Sequence, residues 1–173
     1  MTSPATSMTP ISKNKNAPVL GQMMDYPLTI TNILMHARKH PSTRGVTTRT
    51  ASGKDHHYSY RDLYKSVCQV ANALKRLGVE DGDRIGTFAW NTHEHLELYY
   101  AIPCLGAIIH TLNIRLSPEQ VAYTVNHAGD RIIFVDATLL PLFEKIAPAL
   151  KSVEKFVIIG GGQMKNGGKG LWL

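Results

Sequence analysis

The sequence has little cysteine and no long apolar run, and each shortage excludes a class of protein. Its two cysteines, Cys68 and Cys104, lie in apolar helical contexts, which predicts buried reduced thiols rather than a disulfide-rich scaffold. The longest uncharged apolar run, residues 98–109, is interrupted by Pro103 and is shorter than the roughly 20 residues of a membrane-spanning helix. Residues 1–16 lack the apolar core of a secretory signal and contain no arginine. The sequence therefore predicts a cytoplasmic protein without a membrane span.

The middle of the chain carries almost equal numbers of positive and negative side chains, although the net charge of the whole sequence is +6. Residues 1–16 contribute +2 and residues 151–173 contribute +3, so residues 17–150 carry only +1. A surface that binds nucleic acid gathers Lys and Arg on one folded element, which this distribution does not do. The sequence predicts no nucleic-acid partner, and it predicts a disordered start over residues 1–16.

What the sequence does contain is a repeated alternation of short apolar runs and amphipathic segments. The runs are rich in β-branched residues, as expected of strands buried on both faces. They begin 23, 24 and 24 residues apart and cover 84–90, 107–112, 131–136 and 155–159. Each interval is long enough for a helix to return the chain to the same end of a sheet, so that successive strands run parallel. The pattern predicts an α/β fold with a partial doubly wound parallel sheet and flanking helices.

Local signals place the helices and one N-terminal hairpin. Residues 46–50 and 57–59 flank a glycine-containing turn and predict the two strands of the hairpin. Ser59 and Ser117 are predicted N-caps: Ser59 is followed three residues later by a carboxylate in a capping-box-like pattern, and Ser117 by Gln120. The predicted helices cover residues 29–40, 60–77, 91–104, 118–128 and 139–150, the last with a kink near Pro148.

The motifs of common nucleotide and metal sites are missing. The loop after residue 90 has no glycine, which excludes the dinucleotide fingerprint, and the glycines of residues 160–170 do not have the spacing of a phosphate-binding loop. His93 and His95 flank Glu94, but a zinc helix needs a histidine at position 97, where Glu97 stands. The sequence therefore predicts no catalytic residue, no cofactor-binding residue and no metal site.

Asn91 and His95 are the candidate pocket-wall residues. They follow the first parallel strand, and ligands of doubly wound sheets bind at the carboxyl ends of strands. The alternatives are a helix N-cap for Asn91 and a packed core position for His95. We expect His110 to have a packing role, and Asp130 and Asp136 to form structural ion pairs or turns.

Several motifs together resemble a known family. They are residues 20–24, 58–63, 70–74, 77–79, 82–84, 89–103, 106–113, 115–120, 126–128 and 134–136. The most specific block starts Ala89-Trp90-Asn91-Thr92-His93 and ends at Pro103. These segments resemble AMP-forming acyl-CoA synthetases, in the fatty-acid and methylmercaptopropionate–CoA ligase branch of the adenylate-forming enzymes. The resemblance covers residues 20–159.

The resemblance implies an enzyme that activates a carboxylic acid with ATP and Mg²⁺ and then transfers the acyl group to coenzyme A. AMP is a better leaving group than hydroxide, and Mg²⁺ and cationic groups stabilise the phosphoryl charge. Four parts of that family have no counterpart in this sequence: the loop ending in Pro-Lys-Gly, the Tyr-Gly-x-Thr-Glu segment, the acidic ribose ligand and the lysine of the mobile C-terminal domain. We therefore expect this chain alone to be inactive and to bind no cofactor.

The resemblance also implies three regions and a fold truncated relative to that of the full family. The regions are the disordered start, residues 1–16, the N-terminal subdomain of an AMP-binding domain, residues 17–159, and a glycine-rich tail without resemblance, residues 160–173. Two alternatives stay open. One is a non-enzymatic dimerisation module, which forms a homodimer or pairs with a full-length synthetase. The other is a stand-alone nucleotide-binding domain that uses the glycine-rich tail.

Overall fold

The computed structural model describes residues 26–39, 44–50, 53–160 and 170–172. In these ranges a two-stranded antiparallel sheet accompanies a five-stranded parallel sheet that has helices on both faces. The strands are β1 (Gly45–Arg49), β2 (Asp55–Ser59), β3 (Arg84–Phe88), β4 (Ile108–Thr111), β5 (Ile132–Asp136), β6 (Lys155–Ile159) and β7 (Gly170–Trp172). The helices are α1 (Ile30–Lys39), α2 (Tyr60–Arg76), α3 (His93–Ala101), α4 (Pro118–Ala128) and α5 (Leu140–Phe143). The predicted α/β class, parallel sheet and hairpin are confirmed.

The strand order β4-β3-β5-β6-β7 creates a point where the chain changes direction across the sheet. From β3 the chain moves to β4 on one side, and it then crosses back to β5 on the other side. The helices follow this path, because α1, α2 and α3 pack on the face that carries Ile85 and Phe134, whereas α4 and α5 pack on the face that carries Ile133 and Val135. The loops after β3 and β5 therefore diverge to opposite faces.

Both predicted serine caps are confirmed. The Ser59 hydroxyl oxygen accepts a hydrogen bond from the Asp62 backbone N–H at 3.2 Å at the start of α2. At the start of α4, Ser117 and Gln120 form a reciprocal capping box with distances of 3.3 Å and 3.1 Å. These caps satisfy backbone donors that no carbonyl inside the helix can reach, and so they fix where each helix begins.

The lack of a side chain at Gly86 of β3 leaves room for the buried carboxylate of Asp130, which pairs with His110. A Cβ atom at this position would lie 3.0 Å from Asp130 Oδ2 and 3.0 Å from Ile133 Cγ1. The Asp130 side chain is fully buried, and its Oδ2 lies 2.8 Å from Nδ1 of His110 on the edge strand β4. Gly129 ends α4 with a φ of 70° and thereby turns the chain towards Asp130.

The predicted continuous helix over residues 139–150 is wrong. The chain instead forms a 3₁₀ turn at Ala137–Leu139, the four-residue helix α5 and a second 3₁₀ turn at Ala147–Ala149. Pro148 has no N–H to donate, and its ring would clash with a helical carbonyl four residues earlier, so an α-helix cannot continue through it. Pro103 has a similar effect after α3, which ends at Ala101 and is followed by a 3₁₀ turn at Pro103–Leu105.

Strand β7 lies beside β6 and runs parallel to it, within the region that the sequence analysis assigned to a tail. The boundary at residue 160 stays a prediction. The predicted disordered start, residues 1–16, and residues 161–169 lie outside the described residues. Across the described ranges, none of the helices has both the length and the apolar character that crossing a membrane requires.

Candidate functional site

A cavity of about 580 Å³ opens at the carboxyl ends of β3, β5 and β6. Its wall comes from residues 49–50 of the hairpin, 90–94 after β3, 136–138 after β5 and 159–160 at the end of β6. The cavity therefore lies between the diverging loops, which is where doubly wound sheets bind their ligands. Its volume falls within the range of small-molecule sites, roughly 300–1,000 Å³. We call it the switch-point cavity.

A chain of hydrogen bonds joins the two sides of this cavity. Trp90 Nε1 donates to Thr138 Oγ1 at 3.0 Å, and the Thr138 hydroxyl donates to Asp136 Oδ1 at 2.6 Å. Asp136 Oδ1 also accepts from the Thr138 backbone N–H at 2.9 Å, so it caps the turn after β5. The predicted turn role of Asp136 is confirmed. The Trp90 ring remains 46% exposed and offers an aromatic surface at the mouth of the cavity.

Asn91 and His95 lie close in the chain but have different environments. Asn91 is exposed and lines the switch-point cavity, and the N-cap of α3 is Thr92 rather than Asn91. His95 is buried, and its Nε2 lies 2.9 Å from Thr87 Oγ1 while its Nδ1 lies 3.1 Å from the Trp90 carbonyl oxygen. The alternative of a packed histidine therefore describes His95, although it also borders a smaller cavity of about 240 Å³. A ligand-binding role for either residue stays a prediction.

Burial determines how His95 titrates. Removal from water lowers the pKa of the His95 imidazole, and the Trp90 carbonyl and the Asp136 charge oppose this effect only in part. A neutral His95 can bridge Thr87 and Trp90 by donating from one ring nitrogen and accepting at the other. His95 therefore holds the loop after β3 in place, and with it the Trp90 side of the cavity.

The hairpin closes another side of the cavity. Arg49 and Thr50 line it, and Arg49 forms an ion pair with Asp55 across the hairpin. The ring of His56 on β2 stacks on the ring of His93 on α3, with centroids 4.2 Å apart and an angle of 26° between the planes. The hairpin is thus fixed to the first turn of α3, next to the cavity.

The electrostatic character of the cavity wall does not fit a triphosphate. The wall carries two carboxylates, Glu94 and Asp136, whereas its arginine, Arg49, is already paired with Asp55. Phosphates and their Mg²⁺ ion need free cations, backbone donors and carboxylate ligands arranged around one point. In the part of the chain that the structure describes, no group of three or more His, Cys, Asp or Glu side chains is placed to hold a metal ion.

Sequence reasoning located the loop after β3 but missed Trp90, Thr138 and Arg49 as cavity residues. A usable signal for Thr138 was its position just after the carboxyl end of a parallel strand. No local pattern identifies Arg49, because its place depends on how the hairpin packs on α3. The expected ion pair of Asp130 is formed with His110. Neither residue lines the switch-point cavity.

Comparison with known proteins finds similarity along most of the chain. The family model described as AMP-binding enzyme matches residues 34–170. The 3-methylmercaptopropionyl-CoA ligase of Ruegeria lacuscaerulensis is 40% identical over 142 residues, which cover 82% of this chain and 26% of that protein. The long-chain-fatty-acid–CoA ligase of Thermus thermophilus is 39% identical over 137 residues, or 79% of this chain and 25% of that protein.

Among solved structures, an anthranilate CoA ligase in complex with anthranoyl-AMP superposes with a TM-score of 0.69. It is 29% identical to this chain, and the match covers 80% of this chain and 26% of that protein. The chain thus spans about a quarter of the length of the relatives it matches.

Proposed function

The chain belongs to the AMP-binding enzyme family, and we propose that it supplies the N-terminal part of an AMP-forming acid–CoA ligase. In the reaction of such a ligase, a carboxylate attacks ATP to give an acyl-adenylate and pyrophosphate, and the thiol of coenzyme A then displaces AMP. The observation that carries the proposal is the match over residues 34–170 together with 40% identity to an acid–CoA ligase. The proposed cofactors, ATP, Mg²⁺ and coenzyme A, belong to the intact enzyme.

The proposed substrate class is a fatty acid or a short thioether acid. This follows the relatives, which include ligases for 3-methylmercaptopropionate, for long-chain and for medium-chain fatty acids. The proposed location is the cytoplasm, and the two free thiols, Cys68 and Cys104, agree with a reducing compartment.

We further propose that this chain does not catalyse adenylation by itself. Two observations support this: the chain spans about a quarter of its relatives, and among the described residues of the cavity wall the carboxylates Glu94 and Asp136 stand beside one arginine, Arg49, that is paired with Asp55. The part of the ligase that handles the phosphates would then come from elsewhere, while this part provides the packed α/β layer.

The test is ATP–pyrophosphate exchange with 3-methylmercaptopropionate and with medium- and long-chain fatty acids. We expect the 173-residue chain to show no exchange above a no-protein control, because the described residues include no cluster of His, Cys, Asp or Glu placed to hold the Mg²⁺ ion of the reaction. In parallel, residues 34–160 replace the matching segment of the Thermus thermophilus ligase, and we expect this chimera to catalyse exchange.

Each arm has an outcome that contradicts its half of the proposal. Exchange by the chain alone would show that it is a complete adenylating unit. A chimera that folds, as judged by its circular dichroism and melting transition, yet gives no exchange would show that the segment is not a functional ligase part. The unaltered Thermus thermophilus ligase is the positive control for both measurements.

A pairing module is the second candidate function, and an exposed apolar surface favours it. The side chains of Tyr26, Leu28, Ile30, Ile33 and Tyr99 are between 39% and 97% exposed and lie on α1, on the segment before it and on α3. We call this set the α1–α3 patch. A contiguous apolar surface is typical of protein interfaces. The alternative of a stand-alone nucleotide-binding domain relied on the glycine-rich tail, and it stays a prediction because residues 161–169 lie outside the described residues.

A further inference from the structure

The contact between the hairpin and α3 is formed by two histidines. His56 of β2 and His93 of α3 stack with ring centroids 4.2 Å apart, and the Tyr58 ring lies 5.3 Å from the first and 5.8 Å from the second. The same hairpin contributes Arg49 and Thr50 to the switch-point cavity. His93 also lines that cavity, so the histidine stack forms part of its wall.

The charged and titratable groups around the stack come from every element that packs there. On α3, Glu94 Oε2 lies 3.0 Å from His93 Nδ1, and Glu97 lies one turn further along. On the hairpin, the groups are Tyr58 beside both rings and Arg49, which is paired with Asp55. Glu94 lies beside His93, and the charge of Glu97 interacts with that of His56.

Glu97 is the weaker counter-charge of the two glutamates. It is half-buried, and burial raises the pKa of its carboxyl group, an effect that Glu94 reinforces and that Ser66 and the charge of His56 partly oppose. As the pH falls, Glu97 is therefore neutralised early for a glutamate.

We propose that the His56–His93 stack is a proton-sensitive latch that holds the hairpin against α3 and closes one side of the switch-point cavity. Two neutral rings, or one neutral and one protonated, stack favourably, whereas two imidazolium ions at this separation repel each other. When both carry a proton, the hairpin swings away from α3 and the cavity opens. The proposal does not depend on the ligase activity, since it concerns the chain's own conformational equilibrium.

The titration of His93 agrees in sign with such a latch. Burial lowers the pKa of the His93 imidazole, the nearby His56 lowers it further, and Glu94 partly offsets both. A group with a lowered pKa in the closed state takes up its proton more easily in the open state. The closed state is therefore fully favoured at pH values above about 6.5, the ordinary pKa of histidine, and it is lost progressively as the pH falls below that value.

Hydrogen exchange of the full chain, measured by mass spectrometry and corrected for intrinsic rates, tests the latch. From about pH 7.5 to about pH 5.5 we expect the protection of residues 45–49 and 55–59 to fall severalfold, because the open state takes up protons more easily than the closed state. The amides of β5 should stay protected in the same samples. In a Trp172→Phe background, acrylamide quenching of Trp90, which lines the cavity, should increase over the same range.

Three variants separate the latch from ordinary acid sensitivity. His56→Phe keeps a ring on β2 but cannot take up a proton, so we expect hairpin protection to depend less on pH than in the wild type, with the remainder due to the buried His93. His56→Gln should behave similarly if it folds. His57→Gln is the matched control, because His57 points to the other face of β2, where its Nδ1 lies 2.8 Å from Thr47 Oγ1. This control should keep the wild-type pH dependence.

The proposal is overturned by any of three results. Hairpin protection that does not change with pH in the wild type shows that the stack is not proton-sensitive. The same pH dependence in His56→Phe shows that another group is responsible. A simultaneous loss of protection in β5 shows that the change is global unfolding rather than release of the hairpin.

Discussion

At the scale of single residues, the buried carboxylate of Asp130 requires more specific neighbours than an apolar side chain would. Asp130 is fully buried, and its position depends on the space left by Gly86 and on contact with His110 at 2.8 Å. Burial raises the pKa of the Asp130 carboxyl group, whereas the hydrogen bond and charge of His110 and the charge of Arg84 lower it. An apolar residue at the same place would tolerate many neighbours, but a buried carboxylate needs these.

The pair predicts a pH-dependent cost for removing His110. In His110→Leu the carboxylate loses its partner, and we expect the free energy of unfolding at pH 7 to fall by about 3 kcal/mol. A raised pKa means that the charged form of Asp130 destabilises the folded state. The loss of unfolding free energy caused by His110→Leu should therefore decrease as the pH falls towards 3.8, the ordinary pKa of an aspartate, and Asp130 takes up a proton. Urea unfolding at pH 7 and pH 4 measures both values.

The control for this prediction is Asp130→Asn in the His110→Leu background. Because the amide carries no charge, we expect it to recover most of the lost stability at pH 7. Equal losses at both pH values, with no recovery in the double variant, would indicate that His110 acts through packing alone.

At the scale of elements, capping residues and prolines determined where helices begin and end. The start of α4 combines a serine cap, a proline at the first helical position and a capping box, and the helix begins where the sequence predicts. Residues 139–150 carry apolar side chains at helical spacing, but Pro148 prevents a continuous helix, and the chain forms the short helix α5 between two 3₁₀ turns. Periodicity thus identified the buried side, whereas backbone chemistry decided whether a continuous helix forms.

The capping box at α4 predicts a measurable contribution to stability. We expect Ser117→Ala to lower the free energy of unfolding by about 1 kcal/mol, because a backbone donor loses its acceptor. Thr92→Ala is the matched comparison, since Thr92 is the N-cap of α3 but makes no side-chain cap hydrogen bond, and a smaller loss is expected there. Urea denaturation of both variants checks this, and equal losses would contradict a specific role for the box.

At the scale of the whole molecule, the described chain has two packed sheet faces and an apolar surface on one side. One core lies between the sheet and α1, α2 and α3, and the other lies between the sheet and α4 and α5. The α1–α3 patch lies on the outside of the first layer, with Leu28 97% exposed and Ile33 59% exposed. Covering such side chains removes apolar area from water, which favours association.

The α1–α3 patch predicts self-association that a single charge weakens. Light scattering after size-exclusion chromatography should show a larger mass for the wild-type chain than for Ile33→Lys at the same concentration. Tyr123→Lys is the control, because Tyr123 is 68% exposed but lies on α4, away from the patch. If both variants elute like the wild type, or if Tyr123→Lys has the same effect as Ile33→Lys, the patch is not the interface.

The sequence by itself determined most of the elements and their order, apart from β7 and the short turns of residues 137–149. The spacing of its β-branched runs predicted β3, β4, β5 and β6, and Ser59 and Ser117 predicted two helix starts, because hydrogen bonding and helix or strand periodicity act between neighbours in the chain. The motifs also predicted the family. Asn91 was correctly placed near the strand ends, since loop position follows from strand position.

Only the tertiary structure decided which residues meet. The contacts of His110 with Asp130, of Trp90 with Thr138 and of His56 with His93 join residues 20, 48 and 37 positions apart. Each depends on the strand order or on how the hairpin packs against α3. Such contacts follow from the summed burial of many side chains across the sheet rather than from any local pattern, so the walls of the cavity and its latch become visible only in the folded chain.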